Sequence, residues 1–519
     1  MAKLALLMWP VLIIILVQRL SFQKTILVSL IGGFLLLPTQ IGWDFPLLPA
    51  FNKGSIPGFT LLVLALLLPR EGGASDARAQ FELPGWLPRT GLAILGLVLM
   101  IFGNQMTALT NGESLSFGPT TIPGLRIYDG FSLILGTLTM LLPFFLGRKF
   151  FAHPETHVLL LKAMMIAGLG YSFLALFEVR MSPQLNVMVY GFFPSSFVQH
   201  VRSGGYRPLV FMEHGLQLAL FFAAATLAAF GVWRSVDSKR RWIYLLAAFW
   251  LLGTLALMNS LGALIIAVVF LPVVLFLGRP LQLLFAAMIC SAIILYPMLR
   301  GADLVPTDRL LSMAAAIDPG REPSLRYRFD NEAVLLERAG DKPLFGWGGW
   351  NRNRVFDAET GQDTTATDGA WVVLIGTRGW IGYLAVFGLL AAPGILLAAN
   401  RRRYDVAPVT AVVALVLAAS LVDLIPNGFL SPVTVLMAGA LWGRVELGAE
   451  ARAAGQIGAI SPPKHADPVY RRPDQRGSPD QAASVGMLRF SGVDTAEETE
   501  DISVYTRQRI RHRRLKDSK

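Results

Sequence analysis

Charge is what this chain has least of: 16% of its residues are Asp, Glu, Lys or Arg, against about 25% in soluble globular proteins. That deficit excludes an ordinary soluble domain. Cysteine is nearly absent as well, with Cys290 alone and inside an apolar run, so neither a disulfide framework nor a thiolate metal site is available. Six histidines are scattered without a metal-binding pair such as HExxH, and no metal site is expected. No soluble catalytic domain stands out, which sets aside nucleotide-sugar enzymes of the usual kind.

What the chain does have is apolar length. Hydrophobic residues make up 54% of it, in runs that approach the roughly 20 residues needed to cross a bilayer. Thirteen such runs can be drawn, at 4–18, 25–39, 56–69, 90–107, 129–147, 157–178, 209–232, 241–258, 260–278, 280–298, 370–398, 406–424 and 429–446. The first two are short, so 12 to 13 spans are expected. The run Leu4 to Val17 lacks a basic leader and a small-residue cleavage site, and is read as a span. The fold class is therefore an all-α polytopic membrane protein.

Basic residues fall on one side of these runs: Arg19 and Lys24; Arg70, Arg78 and Arg89; Arg148 and Lys149; Arg234 to Arg241; Arg401 to Arg403. The positive-inside rule puts that side in the cytoplasm, with the N-terminus outside and the C-terminus inside. The net charge of +11 then reflects cytoplasmic loops, not a nucleic-acid partner. Two outer loops are long, 180–208 and 299–368, and loops of that length are commonly functional. Within the second, Ala333, Leu335, Leu336 and Ala339 mark a short amphipathic helix ending near Gly340. A transmembrane domain thus spans 1–446. The segment 447–519 reads as a disordered cytoplasmic tail, with a basic end at Arg507–Lys516 suited to anionic lipid.

Chemistry is expected at the outer loops. The longer one carries Arg300, Arg309, Arg321, Arg326, Arg328, Arg338, Arg352 and Arg354 against a single Lys342. The planar guanidinium grips phosphate or carboxylate in a bidentate fork. With Arg202 and Arg207 from the shorter loop, an anion site forms, although most of these Arg are expected to pair with nearby acids. Asp368 precedes the apolar run at Ala370 and has two readings, general base or helix N-cap; residue chemistry alone favours the cap. His214 stands at a span boundary beside Glu213. Gly379 and Gly382 read as small residues for close helix approach.

Three local patterns resemble the bacterial O-antigen ligase and Wzy-type polysaccharide polymerase superfamily. Lys342-Pro343-Leu344-Phe345-Gly346-Trp347-Gly348 resembles that family's rPllGwG segment. The family's His, Asn/Ser/Gln, nine residues and Gly-x-x-Gly correspond to Asp368, Gly369, nine residues and Gly379-Trp380-Ile381-Gly382. Arg207-Pro208 through His214 follows the family's Arg-Pro-x-Gly-Thr-Phe-x-His stretch. Two departures stand out: Asp368 replaces the family His, and Asn259-Ser260-Leu261-Gly262 lacks the Arg of a Ser-Arg-Gly segment.

The resemblance implies a glycosyltransferase of the bacterial inner membrane working at its periplasmic face in O-antigen, lipopolysaccharide or exopolysaccharide assembly. Its donor would be an undecaprenyl-diphosphate-linked glycan, and its acceptor a glycan or lipid A core. Asp368 would then be catalytic; Arg207, Arg202, Arg326 and Arg328 would bind diphosphate; His214, Gly379 and Gly382 would support them. No cofactor is implied. Membrane lipids and a chain-length regulator or other assembly proteins are the partners it implies. The alternative is a transporter or flippase for lipid-linked or anionic polysaccharide.

Overall fold

The computed structural model describes residues 1–45, 48–68, 81–202, 205–236, 239–317 and 322–455. Arg70, Arg78, Arg321 and the tail from 456 onward, including Arg507–Lys516, lie outside the described residues. The chain is mostly helical. Its first half contributes α1 (Ala2–Arg19), α2 (Phe22–Leu36), α3 (Ile56–Leu67), α4 (Gly91–Leu109), α5 (Ile127–Met140), α6 (Leu142–Phe150), α7 (Pro154–Met181) and α8 (Leu185–Tyr190). The second half contributes α9 (Gly215–Ser235), α10 (Arg241–Leu257), α11 (Leu261–Phe276), α12 (Arg279–Gly301), α13 (Thr307–Ile317), α14 (Glu322–Gly340), α15 (Ala370–Ala399), α16 (Pro408–Asp423) and α17 (Pro432–Ala453). Strand pairing is confined to short hairpins such as Val201–Arg202 with Gly205–Tyr206.

Seven helical segments among the described residues are long and apolar enough to cross a membrane: α1, α4, the α5–α6 pair, α7, α9, α12 and α15. Shorter apolar helices, α2, α3, α10, α11 and α16, pack among them. Their outward faces explain why water is the wrong solvent. On α4, Leu92, Leu95, Val98 and Phe102 are exposed on one stripe, while Ala93, Leu97, Met100 and Thr107 are buried on the other. A soluble helix would carry polar residues on its open side. At the centre, α9 and α16 are apolar and almost wholly buried. The chain is a polytopic, all-α membrane protein.

Four readings of the sequence need correction. The span drawn over 209–232 begins only at Gly215. The buried carboxylate of Glu178 on α7 accepts hydrogen bonds from the amides of Leu209 and Val210 (2.9 and 2.7 Å) and of Leu185 (2.9 Å), holding this stretch as a turn. The span over 370–398 is broken: Gly379 has φ +65° and ψ −171° inside α15. The last helix runs to Ala453, so the segment after the bundle starts later than 447. The amphipathic helix of the long loop ends at Gly340 as expected, but as α14 it begins at Glu322 and is longer than the short helix drawn around Ala333–Ala339.

The break at Gly379 frees backbone groups that would be costly to leave unpaired in a low-dielectric setting. The Lys342–Gly348 segment takes them up. Trp347 and Gly348 donate their amides to the Gly376 and Thr377 carbonyls at 2.8 Å, and the Trp380 and Ile381 amides donate to the Pro343 and Leu344 carbonyls at 2.8 and 3.3 Å. Contact is so close that a Cβ on Gly379 would lie 2.3 Å from the Leu344 carbonyl carbon, and one on Gly346 would lie 2.5 Å from the Arg378 nitrogen. Asn111 and Thr107, at the end of α4, fix the same segment through the Gly346 and Phe345 carbonyls.

Two contacts fit a chain that turns aside at the break. Trp371 packs edge-on against Tyr296, while Tyr383 donates its hydroxyl to the Ile293 carbonyl at 2.7 Å. A straight helix would separate Trp371 from Tyr383 by about 18 Å, whereas Ile293 and Tyr296 lie about 4.5 Å apart along α12. The first half of α15, Ala370 to Arg378, thus departs from the line of the second half.

Candidate functional site

Over that half-helix opens a cavity of about 1010 Å³, lined from three directions. The loop before α9 brings Gln199, Arg202, Arg207, Glu213 and His214. Helix α14 brings Ser324, Tyr327 and Arg328. The floor is the first half of α15, from Asp368 to Arg378, beside Asn427 and Phe429. Toward the bundle interior the lining turns apolar, with Met140, Val386, Phe387 and Leu390. One chamber therefore joins a polar mouth to an apolar trough, a shape suited to an amphiphile.

Four arginines, Arg202, Arg207, Arg328 and Arg378, face two carboxylates, Glu213 and Asp368. The balance favours an anion. Arg207 is 6% exposed and donates to the Asn259 carbonyl at 3.3 Å. Its neighbourhood demands glycine at 215, where a Cβ would sit 2.6 Å from the Arg207 Cγ. Asn259 has φ +53°, and its carbonyl accepts from Arg207.

Asp368 is not an N-cap. The residue at that position is Gly369, with extended φ/ψ and no side-chain cap. The Ala370 amide is taken by the Leu424 and Asn427 carbonyls (3.0 and 3.2 Å). The Asp368 carboxylate points into the cavity, where Arg328 Nε lies 3.4 Å from its Oδ2. It is freed from capping and held by one guanidinium.

His214 does the capping that Asp368 does not. Its Nδ1 accepts from the Leu216 amide at 3.1 Å, and its Nε2 lies 3.2 Å from Gln199 Oε1. Burial, together with nearby His200 and Arg207, lowers its pKa to about 3, so the ring is neutral, with Nε2 carrying the proton. His200 is likewise lowered to about 4 by burial, and its Nδ1 hydrogen-bonds the Arg207 carbonyl at 3.2 Å. These rings order the mouth of the cavity and carry no charge there.

Of the expected residues, Asp368, Arg207, Arg202, Arg328 and His214 meet in this one cavity. Arg326 stays outside it, on the exposed face of α14 with Glu322 at 2.7 Å. Gly379 and Gly382 play a different part from helix–helix packing. Gly379 makes the break, and a Cβ on Gly382 would fall 2.3 Å from the Arg378 Cβ, so Gly382 clears the space in which Arg378 sits. Arg378 itself escaped notice because Thr-Arg-Gly sits in the middle of an apolar run; a guanidinium there was the signal.

Other loop arginines are matched locally. Arg300 pairs with Asp303 and Glu332, Arg338 with Asp341, Arg352 with Glu113 and Arg354 with Asp363. Compared with protein-family models, curated proteins and solved structures, the chain matches none of them.

Proposed function

We propose that this protein is a metal-independent glycosyltransferase with 12 to 13 membrane spans, acting at the periplasmic face of a bacterial inner membrane on an undecaprenyl-diphosphate-linked glycan, in O-antigen, lipopolysaccharide or exopolysaccharide assembly. The observation that carries it is the amphiphilic cavity, in which the Asp368 carboxylate, not used as a helix cap, stands among arginines beside an apolar trough. The prenyl chain lies along Val386, Phe387 and Leu390, and the diphosphate sits at Arg207, Arg202 and Arg328. In the reaction the acceptor hydroxyl oxygen attacks the anomeric carbon of the donor. The new carbon–oxygen bond forms as the bond to the diphosphate oxygen breaks, its electron pair leaving with the diphosphate. Asp368 takes the acceptor proton. Guanidinium groups balance the charge that develops on the leaving diphosphate.

A transporter reading draws on the broken helix, since broken helices build substrate sites in transporters. Here the Lys342–Gly348 segment already occupies the Gly376 and Thr377 carbonyls and the Trp380 and Ile381 amides at the break. Transferase is therefore the reading we favour.

The test is Asp368→Asn in the native host, with surface glycan resolved on a gel and protein level checked in the membrane. A positioned general base contributes about 10²–10⁴ in rate, so capped glycan should fall below detection at unchanged protein level. Normal glycan length and amount would sink the assignment. Lipid-linked glycan trapped on the cytoplasmic leaflet would favour transport.

A further inference from the structure

Arg378 stands apart from the other cavity arginines. It ends the first half of α15, at the side of the chamber lined by α5, and its guanidinium donates to Thr137 Oγ1 at 2.7 Å. Thr137 is oriented in turn by Asn104 on α4 and by the Leu133 carbonyl. No carboxylate pairs with Arg378 among the described residues. Asp368 lies at the opposite end of the same half-helix, about 15 Å away at 1.5 Å per residue.

The chain keeps this cation in place with several devices: the Gly379 break, the missing Cβ at Gly382 and the Thr137 hydroxyl. An arginine without a counter-charge in an apolar setting is expensive and marks a ligand. A structural alternative is the favourable field at a helix C-terminus, but the carbonyls there are already bonded to the Trp347 and Gly348 amides.

We infer that Arg378 forms a second phosphate subsite, which holds the acceptor through a phosphate-bearing lipid headgroup. This rests on the transferase reading and extends it. An acceptor whose phosphate sits at Arg378 spans the half-helix with its glycan and presents a terminal hydroxyl at Asp368. The donor diphosphate occupies the Arg207 side. A chamber of about 1010 Å³ stands at the upper end of the range for single small-molecule sites, as two substrates require.

The test is native mass spectrometry of the full-length protein in nanodiscs with geranylgeranyl diphosphate as the probe. Wild type should bind two copies. Arg378→Gln should bind one, and Arg207→Gln should bind one, at the other site. Arg378→Lys should weaken its site by about tenfold, because the ammonium lacks the bidentate fork. Thr137→Val, which leaves the helix break intact, guards against misfolding and should also weaken that site. A phosphorylated glucosamine disaccharide lipid that displaces only the second copy would identify a lipid A-type acceptor; two copies that this lipid leaves in place would identify a second prenyl-linked glycan. Two copies bound by folded Arg378→Gln would overturn the inference, as would equal occupation by phosphatidylglycerol or by inorganic diphosphate. One copy on wild type, lost in Arg207→Gln, would end the second site while leaving the donor reading intact. No binding at all would end both.

Discussion

Arg148 and Arg378 are both guanidiniums carried on helices of this bundle, and they are treated in opposite ways. Arg148 on α6 has no exposed surface and is clasped by Glu446 of α17, with Nη2 at 2.6 Å and Nε at 3.0 Å from Oε2, while Nη1 donates to the Gly85 carbonyl. Lys149 beside it is matched by Glu82 at 2.8 Å. Arg378 on α15 has a hydroxyl for a partner and faces a cavity. Glycines admit both. Gly439 and Gly443 bring the α17 backbone against Phe144 and Arg148, as Gly382 makes room for Arg378. A buried cation matched within the protein holds helices together; one left with a neutral partner is available to a substrate.

The sharpest way to break that comparison is to unmatch the matched guanidinium. Glu446→Gln leaves Arg148 buried against a neutral amide, and should destabilise the protein by about 3–5 kcal/mol, read as a lower melting temperature in detergent or loss of folded protein. A melting curve equal to wild type would mean that the clasp contributes nothing.

Glu332 of α14 offers an intermediate case. It is buried with Arg300 Nε 3.8 Å away and the Tyr296 hydroxyl at 3.4 Å, far looser than the Arg148 clasp. Burial raises its pKa from 4.5 to about 7 despite Arg300 and Arg328. A carboxyl raised in the folded state favours folding while protonated, so its contribution is whole below about pH 4.5 and is lost as pH rises through 7. The loss is on the order of 3 kcal/mol. Glu332→Gln should flatten the fall in melting temperature over that window; an unchanged slope would assign it elsewhere.

Smaller effects mark the rim. His214→Ala removes the α9 cap and should cost about 1 kcal/mol, seen as a modest melting shift. Its pKa of about 3 in the fold lies below the ordinary 6.5, so its neutral ring favours folding fully above about pH 6.5 and this contribution is lost as pH falls toward 3; His214→Ala should flatten the fall in melting temperature below pH 6.5. Arg326→Ala should change stability by less than about 0.5 kcal/mol and leave glycan output as in wild type, because an exposed pair is worth little. Loss of glycan in that variant would mean that the cavity has been drawn too small.

Much of this was legible in the sequence, for physical reasons that differ by element. Apolar runs declare helices because the hydrocarbon core demands about 20 residues of them, and each expected span has a helix in it. Asp368 stands out as a charge at the edge of an apolar run, and Arg202, Arg207 and Arg328 stand out through the arginine bias of the two outer loops. Their convergence was not visible: it depends on Glu178 bending the 209–214 turn and on α14 folding over the half-helix. Gly379 was misread because a glycine that breaks a helix and one that admits a neighbour leave the same letter. Asp368 as a cap was a sound local expectation, displaced by the carbonyls of Leu424 and Asn427, which are far away in sequence.

The seam at Gly379 reaches beyond hydrogen bonding. The Lys342–Gly348 stretch stitches the long loop, near its middle, to a membrane helix, turning one sprawling excursion into two short ones. Asp368 is held from both sides: the next helix begins on the Leu424 and Asn427 carbonyls of the bundle, and its carboxylate pairs with Arg328 of α14 at 3.4 Å. The long loop is thus anchored at its middle as well as at its two ends, and the segment that carries α13 and α14 begins and ends on membrane helices.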